Sequence, residues 1–263
     1  MATWDPASYL RFEDERSRPF FDLVARVHAH MPKQVIDLGC GPGQLTRSLA
    51  DRWPGAEILG IDSSPEMIEA AGEHSSTRVR FEVGDIRQWR PTAPVDVLVS
   101  NAALQWVPGH RDLLPQLVAS VAPGGWCAFQ VPGNFDEPSH LILREMASDR
   151  RFASSTSSVE WPSAFDAGTY LSDLFALGCR VDAWETSYLH VLTGPDPVFT
   201  WISGTGARPV LQALPPIQRK VFESEYKALL REAYPPQDCG TVLPFRRVFV
   251  VAHKVSDSAG NTA

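Results

Sequence analysis

The sequence predicts an α/β fold in which a doubly wound, mostly parallel β-sheet carries helices on both faces. Two observations support this prediction: short apolar runs alternate with amphipathic helical patterns through the first half of the chain, and their spacing fits repeated strand–helix–strand units. Right-handed crossovers between such units place helices on both sides of the sheet. Ligands of such sheets bind at the carboxyl ends of the strands.

Five strands are predicted in the first half, each an apolar run bounded by turn residues. They cover residues 33–39, 56–62, 79–85, 95–101 and 126–132. The helices predicted around them cover residues 6–14, 19–31, 43–53, 64–74 and 111–122. Pro6 and Pro65 lie at helix starts, where the missing N–H of proline has no intrahelical partner to lose.

The second half of the chain has a different pattern. Residues 147–163 are polar and are expected to form a loop, followed by a helix at 168–178 and a long strand at 179–192. Two or three helical patterns occupy residues 196–236 before the final strand at 245–255. This insertion is too long for a hairpin connection. It is either a helical decoration or, as we expect, a wall over the active site.

Composition argues against several classes of function. The 263 residues carry a formal net charge of −7, which disfavours a broad binding surface for nucleic acid or for an anionic membrane. The four cysteines form no C-x-x-C pair, so neither a zinc ribbon nor a dithiol redox site is expected. The N-terminus lacks a basic region followed by an apolar stretch, and no apolar run could span a bilayer. We therefore expect a cytoplasmic protein.

A glycine-rich turn follows the first predicted strand in the sequence DLGCGPG, residues 37–43. The dinucleotide fingerprint needs a third glycine where this chain has Gln44, and the Walker sequence G-K-[ST] is missing. Asp37 would repel a pyrophosphate, but it would attract a cationic group such as the ammonium of an amino acid. The turn therefore favours a ligand with an amino acid tail over a nucleotide phosphate.

Polar side chains also end the next three predicted strands. Asp62 ends the second strand, where a carboxylate can accept from both hydroxyls of a ribose. Asp85 ends the third, where it can accept from an adenine amino group, and Asn101 ends the fourth. A single acid after a strand is more often a helix cap, but all of these residues together indicate a ligand with an ammonium, a ribose diol and an adenine and without a phosphate. That ligand is S-adenosylmethionine.

These motifs resemble those of the class I methyltransferases, with DLGCGPG as the first motif, the acid of GIDSS as the second and GDI as the third. The chain is also similar, from Trp4 to His253, to the trans-aconitate 2-methyltransferase family. The stretches that carry this similarity are WDPASYLRFEDERSRPFFDLVARV, SNAALQWVPGHRDLLP, QVPGNFDEPSH, VDAWETSYLHVLTG, WISGTGARPVL and AYPPQDCGTVLPFRRVFVVA. Residues 148–162 look unlike that family.

The resemblance implies a seven-stranded sheet whose last strand is antiparallel, with S-adenosylmethionine as the cofactor and no metal ion. The methionine end of the cofactor would lie on the glycine turn, the ribose on Asp62 and the adenine near Asp85. The residues expected to bind the cofactor are Asp37, Gly39, Cys40, Gly41, Asp62, Ser63, Gly84, Asp85, Ile86, Asn101 and Ala102.

We expect one methyltransferase domain over residues 1–254 and a disordered tail at 255–263. The expected parts of the domain are N-terminal lid helices at 1–30, a cofactor-binding half at 31–133, substrate-covering helices and a strand at 134–245, and the last strand at 246–254.

The reaction implied by the resemblance is methyl transfer to one carboxylate of a small polycarboxylic acid. The carboxylate is already ionised at neutral pH, so we expect no catalytic acid or base. The chain's residues need to position the acceptor and exclude water. Consistent with this, the N-P-P-[YF] sequence of amine methyltransferases does not occur at Asn101, and no Pro-Cys nucleophile loop is present.

Arginines suit such an acceptor, because the planar guanidinium matches the two oxygens of a carboxylate. Arg246 and Arg247 begin the final strand, and alternation sends them to opposite sides of the sheet, so at most one should reach the acceptor. The residues expected to bind this small-molecule polycarboxylate are Tyr9, Arg16, Arg18, Gln105, Trp106, Gln130, Asn134, Tyr188, Arg208 and Arg246.

Two alternatives remain open from the sequence alone. One is a methyltransferase of the same fold that acts on another small-molecule or carrier-bound carboxylate; the other is a non-catalytic S-adenosylmethionine-binding scaffold. A nicotinamide dehydrogenase is disfavoured by Gln44. A scaffold would be expected to have lost an acid or a glycine from the cofactor site, and none is missing. The sequence does not indicate an oligomeric state.

Overall fold

A computed structural model describes the backbone of residues 13–256 and the side chains of residues 17–256. Tyr9 and most of the helix predicted at 6–14 lie outside these residues. So do residues 257–263 of the predicted tail, and the side chain of Arg16 is not described.

Seven strands form one sheet in the order β3-β2-β1-β4-β5-β7-β6. They are β1 Gln34–Leu38, β2 Glu57–Asp62, β3 Val79–Val83, β4 Val95–Asn101, β5 Val121–Pro132, β6 Cys179–Leu192 and β7 Thr241–Lys254. β7 is antiparallel to both of its neighbours, and the other neighbouring pairs are parallel. This confirms the predicted sheet. The strand order reverses between β1 and β4, and the crevice at such a reversal is where doubly wound sheets bind their ligands.

Ten α-helices are described in this part of the chain. They are α1 Glu13–Ala25, α2 Gln44–Arg52, α3 Pro65–Ala71, α4 Leu114–Ala119, α5 Pro138–Ser148, α6 Ala153–Thr156, α7 Ala167–Ala176, α8 Pro197–Ser203, α9 Arg208–Ala213 and α10 Pro216–Ala233. Short 3-10 helices occur at Gly72–His74, Leu104–Trp106 and His110–Leu113.

Each face of the sheet has its own apolar core, because successive side chains of a strand point to opposite faces. On one face, Val99 and Phe249 pack with Phe20 and Leu23 of α1. On the other face, Phe129 and its neighbours pack with α4 and α7. Because side chains alternate along each strand, the face that α1 covers also carries the side chains of Asp37, Asn101, Gln130 and Arg247.

A third core joins α5, α8, α9 and α10, together with Phe152 directly before α6, into one unit, which we call the helical cover. Its centre includes Trp201, Phe222 and Tyr226, all almost fully buried. Leu243 and Phe245, at the start of β7, belong to the same core. Because β7 is antiparallel and Arg247 pairs with Pro132 at the end of β5, this core lies at the carboxyl edge of the parallel strands.

Two local predictions were wrong. The segment 147–163 was expected to be a loop, but α5 reaches Ser148 and α6 follows, because Phe152 is 2% exposed and fills the third core. A helix start was expected at Pro19, but α1 runs through this proline and ends at Ala25. The cost of an interior proline is offset there by the burial of the next turn against the sheet.

Strand ends were also misplaced. Residues 123–125 were expected to end a helix, but they lie within β5, beside a register shift between Val95 and Val97 of β4. The last strand was expected to begin at 245 or 246, but β7 begins at Thr241, where it pairs with Leu192 of β6.

Substitution of two glycines by alanine tests the packing of the turn after β1. Gly39 has φ +80°, and an added Cβ would lie 2.2 Å from Ala103 Cβ; Gly41 has φ +56° and nothing within 4 Å. We expect Gly41→Ala to lower the free energy of unfolding by about 1–2 kcal/mol through backbone strain alone. Gly39→Ala should cost about 1–3 kcal/mol more, because it adds a steric clash. Equal losses in urea unfolding would contradict this packing.

Candidate functional site

The glycine turn between β1 and α2 is held by hydrogen bonds to β2. The N–H groups of Gly39 and Cys40 donate to Ile61 O at 2.7 and 3.1 Å. Left-handed φ values occur at Gly39, Gly41 and Gly43, and L-residues that carry a side chain rarely adopt such values. Cys40 is buried, and burial raises the pKa of its thiol, so it has no thiolate character.

Asp37 is the next-to-last residue of β1, directly before this turn, and is 3% exposed. Its carboxylate accepts a hydrogen bond of 2.6 Å from Thr46 Oγ1 of α2. Burial raises the pKa of Asp37 to about 7; the bond from Thr46 opposes this shift, and the nearby Asp62 adds to it. A buried carboxylate with this pKa favours a cationic partner, which would stabilise its ionised form.

Asp62 ends β2 and holds the turn from the other side. Its two carboxylate oxygens accept from Gly41 N at 2.9 Å and Ser64 N at 3.0 Å. Burial raises its pKa, and these backbone donors oppose the shift. Each carboxylate oxygen can accept more than one hydrogen bond, so the predicted role toward a ribose diol remains open to it. Ser63 beside it is exposed.

A small pocket lies over this arrangement. Its lining residues are Phe20, Asp37, Gly39, Cys40, Gly41, Pro42, Gln44, Leu45 and Asn101. Phe20 of α1 was not predicted as a site residue, although its apolar spacing in the sequence marked it for burial. The pocket brings together the predicted glycine turn, the buried acid and the end of β4.

Asp85 has a partner that the sequence analysis did not predict. Arg87 donates to both of its carboxylate oxygens, and this contact lowers the pKa of Asp85. The carboxylate is thus already paired at the place where an adenine amino group was expected to donate. Ile86 is 8% exposed and Gly84 N donates to Asp62 O at 2.9 Å, so the turn after β3 is fixed against β2.

The end of β4 has a strained backbone. Ala102 has φ +53°, an uncommon value for a residue with a side chain. Its N–H donates to Gln130 O at 2.9 Å, and its carbonyl oxygen accepts from Gln105 Nε2 at 2.6 Å. Backbone strain held by surrounding contacts is often found at ligand-binding sites. Trp106 follows in a 3-10 helix and is half-buried.

Four buried polar atoms at the ends of β4 and β5 have no hydrogen-bond partner among the described residues. They are Asn101 Oδ1, Gln105 Oε1, Gln130 Nε2 and Asn134 Oδ1. Buried polar groups are normally paired, so a cluster of unpaired ones marks a place where a ligand or water binds. All four belong to residues that the sequence predicted for the cofactor or the acceptor.

The structure assigns the two arginines of β7 to opposite faces, as alternation predicted. Arg246 was the predicted substrate ligand, but its guanidinium donates to Gly133 O and to Glu185, on the face opposite α1. Arg247, the other candidate of the pair, which was not selected, is 5% exposed and donates to Gln130 on the α1 face. Alternation could show that only one arginine enters the site, but the sequence did not show which face holds the site.

Other predicted acceptor residues have structural partners. Tyr188 is buried and its hydroxyl donates to Asp22 of α1, while the guanidinium of Arg18 lies 5.8 Å from the centre of the Tyr188 ring. These contacts fix α1 on the edge strand β6. Arg208 begins α9 in the helical cover and is half-buried. Their roles toward a substrate stay predictions.

The residues fit S-adenosylmethionine in three respects. A buried acid lies beside left-handed glycines, a carboxylate with open acceptor capacity ends β2, and Asn101 presents an unpaired oxygen in the same pocket. Among the side chains of residues 17–256, the structure shows no cluster of three or more metal-binding groups. In the same range, no helix has the length and apolar character needed to cross a membrane.

Comparison with known sequences shows what this chain is similar to. A family profile described as a methyltransferase domain matches residues 35–125. A trans-aconitate 2-methyltransferase of Streptomyces avermitilis is 50% identical, with 96% of this chain and 97% of that protein covered. Relatives with the same name occur in Rhodococcus jostii, at 51% identity with 95% and 98% covered, and in Mycobacterium tuberculosis, at 47% with 95% and 96% covered.

Solved structures support the fold. A phosphoethanolamine N-methyltransferase 2 of Haemonchus contortus, in complex with S-adenosyl-L-methionine, matches with a TM-score of 0.60 and 17% identity, over 95% of this chain and 57% of that one. The [4+2]-cyclase SpnF matches with a TM-score of 0.58 and 14% identity, over 97% and 87%. Proteins with different reactions share this fold, so the fold alone does not determine the acceptor.

Replacing the buried acid tests its unusual pKa. Because the pKa of Asp37 is about 7 when folded and near 3.8 ordinarily, the folded protein retains a proton that the unfolded chain releases. The contribution of Asp37 to stability therefore falls as pH rises between these values. Relative to Asp37→Asn, the wild type should lose up to about 1.4 kcal/mol per pH unit in this window. Parallel pH profiles of urea unfolding for the two proteins would contradict the raised pKa.

Proposed function

The chain belongs to the trans-aconitate 2-methyltransferase family, and we propose that it transfers the methyl group of S-adenosylmethionine to one carboxylate of trans-aconitate. The products are a monomethyl ester and S-adenosylhomocysteine. The observation that carries the proposal is the 50% identity to a relative of that name over 96% of this chain, which includes the helical cover as well as the cofactor side.

The cofactor side of the site is formed by residues 31–133. Asp37 and the glycine turn would hold the amino acid end of the cofactor, Asp62 its ribose, and Ile86 an apolar wall beside the adenine. When bound, the cofactor supplies a methyl group on a positively charged sulfur. The pocket below Phe20 would then enclose this end of the cofactor against Asn101.

The acceptor side would lie over β4, β5 and β7, below the helical cover in residues 134–245. The carboxylate oxygen of the acceptor contributes the electron pair of the new O–CH₃ bond, the S–CH₃ bond breaks, and sulfur keeps its electron pair. No proton moves. The chain's residues therefore bind and orient the carboxylate, which fits the buried amides at the ends of β4 and β5.

Besides orienting the acceptor carboxylate, the protein would exclude water from it. A carboxylate loses its hydration shell before it attacks a methyl group, so water must be excluded and replaced by fixed dipoles. α1 covers one face of the strand ends through Phe20, and the third core of the helical cover includes Leu243 and Phe245 at the start of β7. These two elements would close the acceptor region from opposite directions.

An acceptor panel tests the proposal. Purified protein is incubated with S-adenosylmethionine carrying a labelled methyl group and with one acid at a time: trans-aconitate, its cis isomer, a saturated tricarboxylic acid, a dicarboxylic acid and a monocarboxylic acid. We expect the largest kcat/KM for trans-aconitate and a base-labile ester as the product. Cofactor binding without turnover of any acid would instead support a scaffold, and a preference for a different acid would identify another acceptor.

A further inference from the structure

A row of polar side chains crosses the sheet at its carboxyl edge, on the face that α1 covers. It starts at Asp37 in the cofactor pocket and continues through Asn101 of β4, which pairs in register with Gln130 of β5. Arg247 of β7 pairs with Pro132, two residues beyond Gln130, so its side chain points to the same face as that of Gln130. The row thus leads from the methyl donor site toward the helical cover.

The chemistry of Arg247 fixes the orientation of the Gln130 side chain. Arg247 Nη1 donates to Gln130 Oε1 at 3.4 Å. A guanidinium has donors and no acceptor, so the oxygen of the amide must face Arg247 and the NH₂ group must face away. The orientation of this amide therefore follows from its partner's chemistry.

The NH₂ group of Gln130 is a buried hydrogen-bond donor without an acceptor among the described residues. Gln130 is fully buried, and its Nε2 has no hydrogen-bond partner among the described residues. A buried donor without a partner is costly, and a carboxylate oxygen is the strongest partner that a small acid can offer. The position next to Asn101 places this donor beside the cofactor pocket.

We propose, on the basis of the proposed function, that Gln130 Nε2 donates to the acceptor carboxylate that becomes methylated, and that Arg247 is the positioning residue that keeps the amide in this orientation. Gln130 is the residue in contact with the substrate. Arg247 acts through Gln130.

Charge gives a reason for this arrangement. The acceptor carboxylate loses its negative charge as the O–CH₃ bond forms, so a cation bound directly to it would stabilise the ground state more than the transition state. A neutral amide also binds the carboxylate, but it stabilises the charged ground state less than a cation does, so it raises the activation barrier less. In this proposal Arg247 contributes the orientation of the amide through its hydrogen bond to Gln130 Oε1.

The substitution Gln130→Glu separates this role from a structural one. The new carboxylate can pair with Arg247, so the free energy of unfolding should be unchanged or higher. It cannot donate, and its charge repels the acceptor, so kcat/KM for trans-aconitate should fall about 100-fold or more, mainly through KM. The affinity for S-adenosylhomocysteine, measured by calorimetry, should stay within about threefold.

Two variants of Arg247 complete the test. Arg247→Met should raise the acceptor KM about tenfold, because the amide is no longer oriented, and Arg247→Lys should recover part of this loss, because it restores a donor to Gln130 Oε1. Arg180→Met, on β6 where it pairs with His253 at the opposite end of the sheet, is the matched control and should leave KM unchanged.

The outcomes distinguish the inference from the proposed function. If the wild type methylates trans-aconitate and Gln130→Glu keeps the wild-type KM, the inference is overturned and the function stands. If Arg247→Met and Arg247→Lys have the same KM as the wild type, Arg247 is not a positioning residue. A wild type that methylates no acid in the panel would overturn the proposed function and the inference together.

Discussion

The burial of the Asp37 carboxylate beside three left-handed glycines is the constraint on which the rest of the site depends. Asp37 lies one residue before the end of β1, and the left-handed glycines that follow allow the backbone to turn there. Thr46 and Asp62 then fix the turn from two sides. The result is a carboxylate with a pKa of about 7 inside a pocket, where a cationic ligand would stabilise its ionised form.

Strand pairing aligns Asp37 with polar side chains at the ends of the neighbouring strands. Because β1, β4, β5 and β7 are adjacent, side chains of one face at their ends form a continuous row from Asp37 to Arg247. α1 covers this face and is itself anchored on β6 by the pair Tyr188–Asp22. The helical cover reaches the same edge because β7 runs antiparallel and starts there. The proposed cofactor and acceptor regions would therefore meet at Asn101 and Gln130.

The geometry of the proposed cofactor side was largely predictable from sequence, because its signals are local. Asp37, the glycines and Asp62 are each next to a strand end, and the pattern of apolar runs located those ends within a few residues. The acceptor side was less predictable, because it depends on contacts between distant segments. The pairing of Arg247 with Gln130, and of Asp85 with Arg87, follows from side-chain directions that spacing alone does not give. The failures at Pro19 and Phe152 have the same origin: burial against a distant core outweighed a local signal for a break or a loop.

We propose that the buried Asp37 carboxylate, which favours a cationic partner, holds the amino acid end of the cofactor. Calorimetry of S-adenosylhomocysteine binding at several pH values, in buffers with different ionisation enthalpies, tests it most directly, with methylthioadenosine, which lacks the amino acid end, as the control ligand. We expect S-adenosylhomocysteine binding to release a proton below about pH 7, and its affinity to fall about tenfold for each unit by which the pH is lowered there. Methylthioadenosine should show neither effect. Affinity for S-adenosylhomocysteine that is independent of pH, without proton release, would contradict the claim.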